Sequence, residues 1–196
     1  MSLNFLSPDS SVWQNTVRFH GHACPGLAIG YRMALSASSA LGLEVSLHED
    51  SCRTISPDEE LVCVAETDAC CVDAVQILLG CTLGKGNLLL KLRGKTAMTF
   101  YHRPSRNAVR AVWQADVHTP EGREMSRDEK LLHFLTAPEE RLLRVYAVPF
   151  DPPSRALISR SLVCAKCGEL TAEYAVRLHD GQVFCLDCRP DPSRIL

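Results

Sequence analysis

A short segment, Phe19 to Gly26, concentrates three side chains that could do chemistry. His20, His22 and Cys24 lie within five residues and are separated by single small residues. Borderline and soft metal ions prefer imidazole and thiolate ligands, and a thiolate nucleophile needs a neighbouring imidazole base. The segment therefore indicates a metal site or a thiol-based catalytic site. The simpler alternative is a turn before a helix, with two surface histidines and a buried thiol.

The residues after this segment predict a helix that positions Cys24. Pro25 suits the first turn of a helix, where its missing N–H would have no partner. Apolar residues recur with helical spacing from Leu27 to Leu41, and Gly42 is placed as the C-terminal stop. Cys24 would then be the N-cap residue, where free amides and the helix dipole favour a thiolate and lower its pKa.

A second thiol is predicted at the start of another helix. Residues 61–66 form a short apolar run typical of a buried strand, and Asp68 is a good N-cap for a helix that Gly80 ends. Cys70 falls in the first turn, so we expect the same thiolate-favouring surroundings as for Cys24. Two such helix ends repel each other unless thiolates and a cation neutralise them. The sequence therefore predicts that both thiols converge in one metal-binding cleft.

The predicted cleft combines Cys24, an imidazole and a further thiol. Three protein ligands would leave an open position for a water, a thiol or a substrate. The first four of the following residues are also the candidate catalytic residues, and all five are candidate ligands: His20, His22, Cys24, Cys70 and Cys81.

The loop from Gly80 to Asn87 is rich in glycine and offers a weaker hypothesis. Its backbone amides could wrap an anion, with Gly84, Lys85 and Asn87 as the binding residues. It is not a P-loop, because the spacing is one residue short, no Ser or Thr follows the lysine, and the loop leaves a helix. A glycine-rich turn between a helix and a strand explains the same residues equally well.

The C-terminal region contains two CxxC pairs, Cys164/Cys167 and Cys185/Cys188, separated by 17 residues. This spacing is typical of a tetrahedral zinc site. Residues 174–179 and 182–185 alternate like strands around a turn at residues 180–181, which predicts a zinc-ribbon or treble-clef module. We expect one structural zinc, with iron as the alternative, because such a short segment cannot build its own core.

Composition and punctuation set the domain organisation. The chain has 196 residues, 46% of them hydrophobic, and a net charge of −2, which argues against a dedicated nucleic-acid binder. No apolar run could span a bilayer, and residues 1–11 lack the features of a signal peptide, so we expect a cytoplasmic protein. The Asp-Pro-Pro-Ser break at 151–154 separates a core domain, residues 1–150, from an arm, residues 151–162, and a zinc module, residues 163–196.

The order of the predicted elements indicates an α+β core. Residues 96–102 and 108–117 read as paired strands, Ser126 and Glu129 form a capping box that opens a helix to Leu135, and residues 142–148 read as another strand. We therefore predict helices packed on a mixed or antiparallel sheet. The helix from Leu27 to Leu41 is rich in small residues, so a second helix or a dimer partner could pack closely against it.

Two stretches carry a family resemblance: FHGHACPGLAIGYRMAL and ETDACCVDAVQILLGCTLGKGNLLLKLRGKTAMTFYHR. They resemble the FmdE family of formylmethanofuran dehydrogenase components, and several members also carry a C-terminal zinc finger. Cys71 departs from the family pattern, where glycine is common. The positions that match the pattern are His20, His22, Cys24, Pro25, Gly26, Asp68, Cys70, Asp73, Gly80, Cys81, Gly84, Lys85, Gly86 and Asn87.

The resemblance implies a dimeric α+β core with a cleft around the HGHxC segment and a treble-clef appendage. It also implies an association with a molybdenum or tungsten oxidoreductase of methanogenesis, which interconverts carbon dioxide and formylmethanofuran. Two hypotheses follow: a metal-dependent module with a second transition metal in the core cleft, or an ancillary subunit that docks on the larger enzyme and has no chemistry of its own. Whether the chain is an enzyme is left open by the sequence.

Overall fold

The computed structural model describes residues 6–45, 55–114 and 123–190 of the chain. These residues divide into two compact units, residues 1–155 and residues 156–196. The first unit contains five helices among its described residues: α1 (Ser11–His20), α2 (Pro25–Ala40), α3 (Cys71–Leu79), α4 (Arg127–Thr136) and α5 (Glu139–Leu142). Its strands are β1 (Leu61–Ala65), β2 (Leu88–Leu90), β3 (Ala97–His102), β4 (Asn107–Trp113) and β5 (Leu143–Ala147).

The five strands of the first unit form one mixed sheet in the order β2-β1-β3-β4-β5. β1 and β2 are parallel, with Cys63 opposite Leu88, whereas all other neighbours are antiparallel. The connection between the parallel strands contains α3, as a parallel crossover requires. The predicted α+β fold with helices on a mixed sheet is confirmed.

Helix α2 lies at the centre of the first unit and contacts α3, α4, β4 and β5. Its small residues allow α3 to approach, because a Cβ on Gly30 would clash with the backbone of Cys71. Arg32, which is 2% exposed, points from α2 to the end of α4 and donates hydrogen bonds from Nη1 to the carbonyl oxygens of Phe134, Leu135 and Ala137. These bonds satisfy carbonyls that a helix C-terminus leaves without partners.

Several local predictions hold, and one boundary differs. The capping box of α4 is confirmed, since Ser126 and Glu129 each accept a hydrogen bond from the other's backbone amide. The predicted N-cap of α3 was wrong, because the helix begins at Cys71 and Cys70 is its N-cap. Asp68 lies two residues earlier, in the loop between β1 and α3. The C-terminal part of the predicted strand 108–117 falls outside the described residues.

The second unit consists of two hairpins, β6 (Ser161–Val163) with β7 (Leu170–Ala172) and β8 (Arg177–His179) with β9 (Gln182–Phe184). A 3-10 turn, Glu173–Ala175, precedes β8 where the sequence pattern predicted a strand. The reason is that the Glu173 amide still bonds to the Arg160 carbonyl of the first hairpin, so the chain must turn before it enters the second. Residues 185–190, the last described, form a turn and no helix.

Candidate metal centre

Cys24 occupies the N-cap of α2, as its place before Pro25 predicts. Its backbone is extended, and its Sγ accepts a hydrogen bond from the Leu27 amide at 3.3 Å. The side chain is 5% exposed. The helix therefore fixes the sulfur and supplies one amide donor to it, which is the arrangement that stabilises a thiolate at a helix N-terminus.

His20 and His22 reach the same point from the end of α1. Gly21 ends that helix in the left-handed conformation, with φ of 96°, and this turn places His22 next to His20. The two imidazole centroids lie 4.6 Å apart, and His20 Nε2 lies 3.8 Å from Cys24 Sγ. One ligand atom from each of His20, His22 and Cys24 can be chosen so that all three lie within 4.8 Å of one another.

Cys70 joins this group from α3. A Cβ placed on Gly26 would lie 3.7 Å from Cys70 Sγ and 3.9 Å from Cys24 Sγ, so both sulfurs border the same glycine. The two thiols come together although 45 residues separate them. The absence of side chains on Gly26 and Gly30 allows α2 and α3 to pack this closely.

The electrostatics of Cys70 differ from the sequence expectation. Burial, followed by the nearby Cys24 thiol, raises the pKa of Cys70. The N-cap backbone of Cys70 is helical, with φ of −46° and ψ of −27°, and its side chain makes no capping hydrogen bond. An N-cap side chain normally reaches the helix amides from an extended backbone. The prediction that the start of α3 stabilises a Cys70 thiolate was therefore wrong.

Asp73 is a member of this cluster that the sequence did not single out as a site residue. Its Oδ2 lies 2.7 Å from His20 Nδ1, and its Oδ1 accepts a hydrogen bond from Gln76 Nε2 at 3.1 Å. Asp73 follows Cys70 by three residues, so both lie on one face of the first turn of α3. That spacing, together with the match of both residues to the family pattern, was the available signal.

The structure places Cys81 and Cys71 in the core. Cys81 is fully buried and its Sγ contacts the Leu61 carbonyl oxygen at 3.4 Å. Burial raises the pKa of Cys81 and that of Cys71 to about 12. Among the described residues, neither belongs to a group of side chains close enough to share a metal ion.

The glycine-rich loop is held by its own side chains. The buried Asn87 carboxamide accepts from the Thr82 amide and donates to the carbonyl oxygens of Asp58, Leu61 and Gly80. Lys85 Nζ donates to the Ser56 carbonyl at 2.5 Å. The space around Gly84 is open, since an added Cβ would meet nothing within 4 Å. The two polar side chains of the candidate anion site thus serve to fasten the loop to residues 56–61.

The second unit brings the four C-terminal cysteines together. One sulfur from each of Cys164, Cys167, Cys185 and Cys188 lies within 4.8 Å of the others, and the sulfurs of Cys167 and Cys185 are 4.0 Å apart. Sulfurs at 2.3 Å from a tetrahedral ion are about 3.8 Å apart. The Cys167 amide, followed by that of Cys185, lowers the pKa of the Cys164 thiol to about 6. The donor set and its spacing fit a tetrahedral thiolate-binding ion.

Comparison with known proteins gives one family match. A sequence model described as "FmdE, Molybdenum formylmethanofuran dehydrogenase operon" matches residues 19–147. A protein of Archaeoglobus fulgidus named "Probable S-adenosyl-L-methionine-binding protein" is 33% identical over 211 residues, which cover 93% of this chain and 54% of that protein. The chain therefore spans about half the length of this relative.

A solved structure shares the fold. It is the crystal structure of an FmdE-like protein of tungsten formylmethanofuran dehydrogenase from Syntrophus aciditrophicus, with a TM-score of 0.63. The alignment covers 89% of each chain at 21% sequence identity. Within the part of the chain that the structure describes, no helix is both long enough and apolar enough to cross a bilayer.

Proposed function

The chain belongs to the FmdE family, and from that premise we propose that its core cleft binds a divalent transition metal through His20, His22 and Cys24. The proposal rests on one observation, the mutual approach of these three ligand atoms to within 4.8 Å. The Cys70 sulfur lies beside the site and flanks the position that the three ligands leave open. The sequence alternative of two surface histidines and an unrelated thiol does not explain this convergence.

The donor types narrow the choice of metal. Two imidazoles and a thiolate suit zinc, nickel, copper or iron better than magnesium or calcium, which prefer oxygen ligands. A site with three protein ligands and one open position can polarise a bound water, thiol or substrate, or can pass the metal to another protein. The bound metal would supply this Lewis acidity, while the chain supplies the ligands and the neighbouring Cys70 thiol.

We also propose that Cys164, Cys167, Cys185 and Cys188 hold one structural zinc. Four thiolates leave no open position, which is typical of structural sites. The unit that contains them has few buried apolar side chains, Cys164 and Phe184 among its described residues, so packing alone contributes little to its stability. The zinc would therefore stabilise both hairpins.

The test is the number of metal ions per full-length chain, measured by element-resolved mass spectrometry. We expect two ions in the wild type, one ion after Cys24→Ala and one after Cys188→Ala. Cys71→Ala is the matched control, because Cys71 adjoins Cys70 but stands outside both ligand groups, so it should keep two ions. If the wild type holds one ion and Cys24→Ala does not change the count, the core-site proposal fails.

That outcome would favour a second candidate, an ancillary subunit without chemistry of its own. The observation behind it is the family description, which associates FmdE with the operon of a molybdenum formylmethanofuran dehydrogenase. In this case the chain would dock on such an oxidoreductase, and the second unit would offer contact surface. Co-purification with the catalytic subunits, undiminished by Cys24→Ala, would support this candidate.

A further inference from the structure

We propose that Asp73 is a positioning residue of the core site, which holds His20 in the tautomer that turns a lone pair toward Cys24. The inference rests on the proposed function for its consequence, which is metal binding, but its geometric basis is independent. Asp73 Oδ2 lies 2.7 Å from His20 Nδ1, while His20 Nε2 lies 3.8 Å from Cys24 Sγ. The two ring nitrogens thus face partners of different kinds.

The tautomer follows from the partner on Nδ1. An ionised carboxylate can only accept a hydrogen bond, so the proton in the His20–Asp73 contact belongs to the imidazole Nδ1. In the neutral ring the other nitrogen then carries the lone pair. That nitrogen, Nε2, is the atom that faces Cys24, so the carboxylate leaves it ready to bind a cation. A carboxylate behind a metal-binding histidine also makes the imidazole a stronger donor.

Gln76 holds the carboxylate from behind. Its Nε2 donates to Asp73 Oδ1 at 3.1 Å, so each carboxylate oxygen has its own partner. Cys70, Asp73 and Gln76 follow one another at intervals of three residues and share one face of α3. One helix therefore brings both the second thiol and the group that orients the imidazole. Since His20 ends α1 and Cys24 begins α2, correct docking of α3 decides whether the site is assembled.

The partner of Gln76 provides a test by substitution. In Asp73→Asn, the amide can turn either its oxygen or its N–H group toward His20. A glutamate at position 76 accepts the amide N–H, which turns the oxygen toward His20 and restores the Nδ1–H tautomer. A lysine at position 76 donates to the amide oxygen, which turns the N–H group toward His20 and places the imidazole proton on Nε2. We therefore compare Asp73→Asn/Gln76→Glu with Asp73→Asn/Gln76→Lys.

The readout is the His20 tautomer in the chelator-treated full-length chain, obtained from long-range ¹⁵N–¹H NMR spectra above the imidazole pKa and assigned with His20→Gln. We expect Nδ1–H in the wild type and in the glutamate double variant, and Nε2–H in the lysine double variant. The single variants Gln76→Glu and Gln76→Lys control for charge, and both should keep Nδ1–H. Asp73 is partly exposed, with 36% of its side chain accessible, so these variants should fold.

The metal-binding consequence is measured separately. Cobalt titrated into the chelator-treated chain should bind the core site about 10 to 100 times more weakly in the lysine double variant than in the glutamate double variant. The same tautomer in both double variants would overturn the positioning role. If the tautomers differ as expected and the wild type binds no cobalt in the core, the positioning role stands and the proposed function fails.

Discussion

Gly30→Ala tests the packing that assembles the core site. A Cβ on Gly30 would overlap the carbonyl and Cα of Cys71, which are backbone atoms and cannot rotate away as a side chain can. Overpacking a core by one methyl group costs about 1–3 kcal/mol, and a backbone clash belongs at the upper end. The better helix propensity of alanine returns roughly 0.5–1 kcal/mol. We expect a net loss of about 2 kcal/mol in the free energy of unfolding.

The assay is urea unfolding followed by circular dichroism, with Gly84→Ala as the control. Gly84 is exposed and an added Cβ would meet nothing within 4 Å, so this variant should unfold like the wild type. Because α3 must move away from α2 in Gly30→Ala, Cys70 must also move away from Cys24, and metal binding in the core should weaken. An unfolding midpoint equal to that of the wild type would refute the close approach of α2 and α3.

Three further predictions concern other parts of the molecule. Cys167→Ser should make residues 156–196 sensitive to protease while the core stays folded, and a resistant C-terminal fragment would count against a zinc-stabilised unit. The Arg110 guanidinium bonded to Glu66 lowers the pKa of that carboxyl, so its stabilisation is present above the unfolded pKa of about 4.3 and is lost as the pH falls through the folded value; Glu66→Gln should therefore flatten the acid limb of the unfolding midpoint against pH, and an unchanged limb would contradict this. The homodimer implied by the family resemblance should give a light-scattering mass near twice 21.6 kDa at micromolar concentration, whereas a mass near one chain would exclude it.

Features specified by adjacent residues could be predicted from the sequence. Cys24 at the start of α2, the capping box of α4 and the turn at residues 180–181 each depend on contacts within a few residues. The grouping of the four C-terminal cysteines also followed from spacing, because each CxxC pair is a local turn. The identity of any bound ion stays a prediction.

Features that depend on tertiary packing were missed or misjudged. The contact between His20 and Asp73 joins residues 53 apart, and no local pattern marks it. The sequence treated Cys24 and Cys70 alike because both precede helices, but only the extended backbone of Cys24 lets its sulfur accept an amide. The surroundings of Cys81 and Asn87 are decided by burial against β1, which only the folded chain reveals.

The most direct test of the core metal site is an anomalous difference map from crystals of the full-length chain, recorded at the zinc, iron and nickel absorption edges. The account predicts a peak about 2.3 Å from Cys24 Sγ and about 2.0–2.1 Å from His20 Nε2, in addition to a peak among the four C-terminal cysteines. A single peak at the C-terminal site, with no anomalous density between His20, His22 and Cys24 in crystals soaked with cobalt, would contradict it.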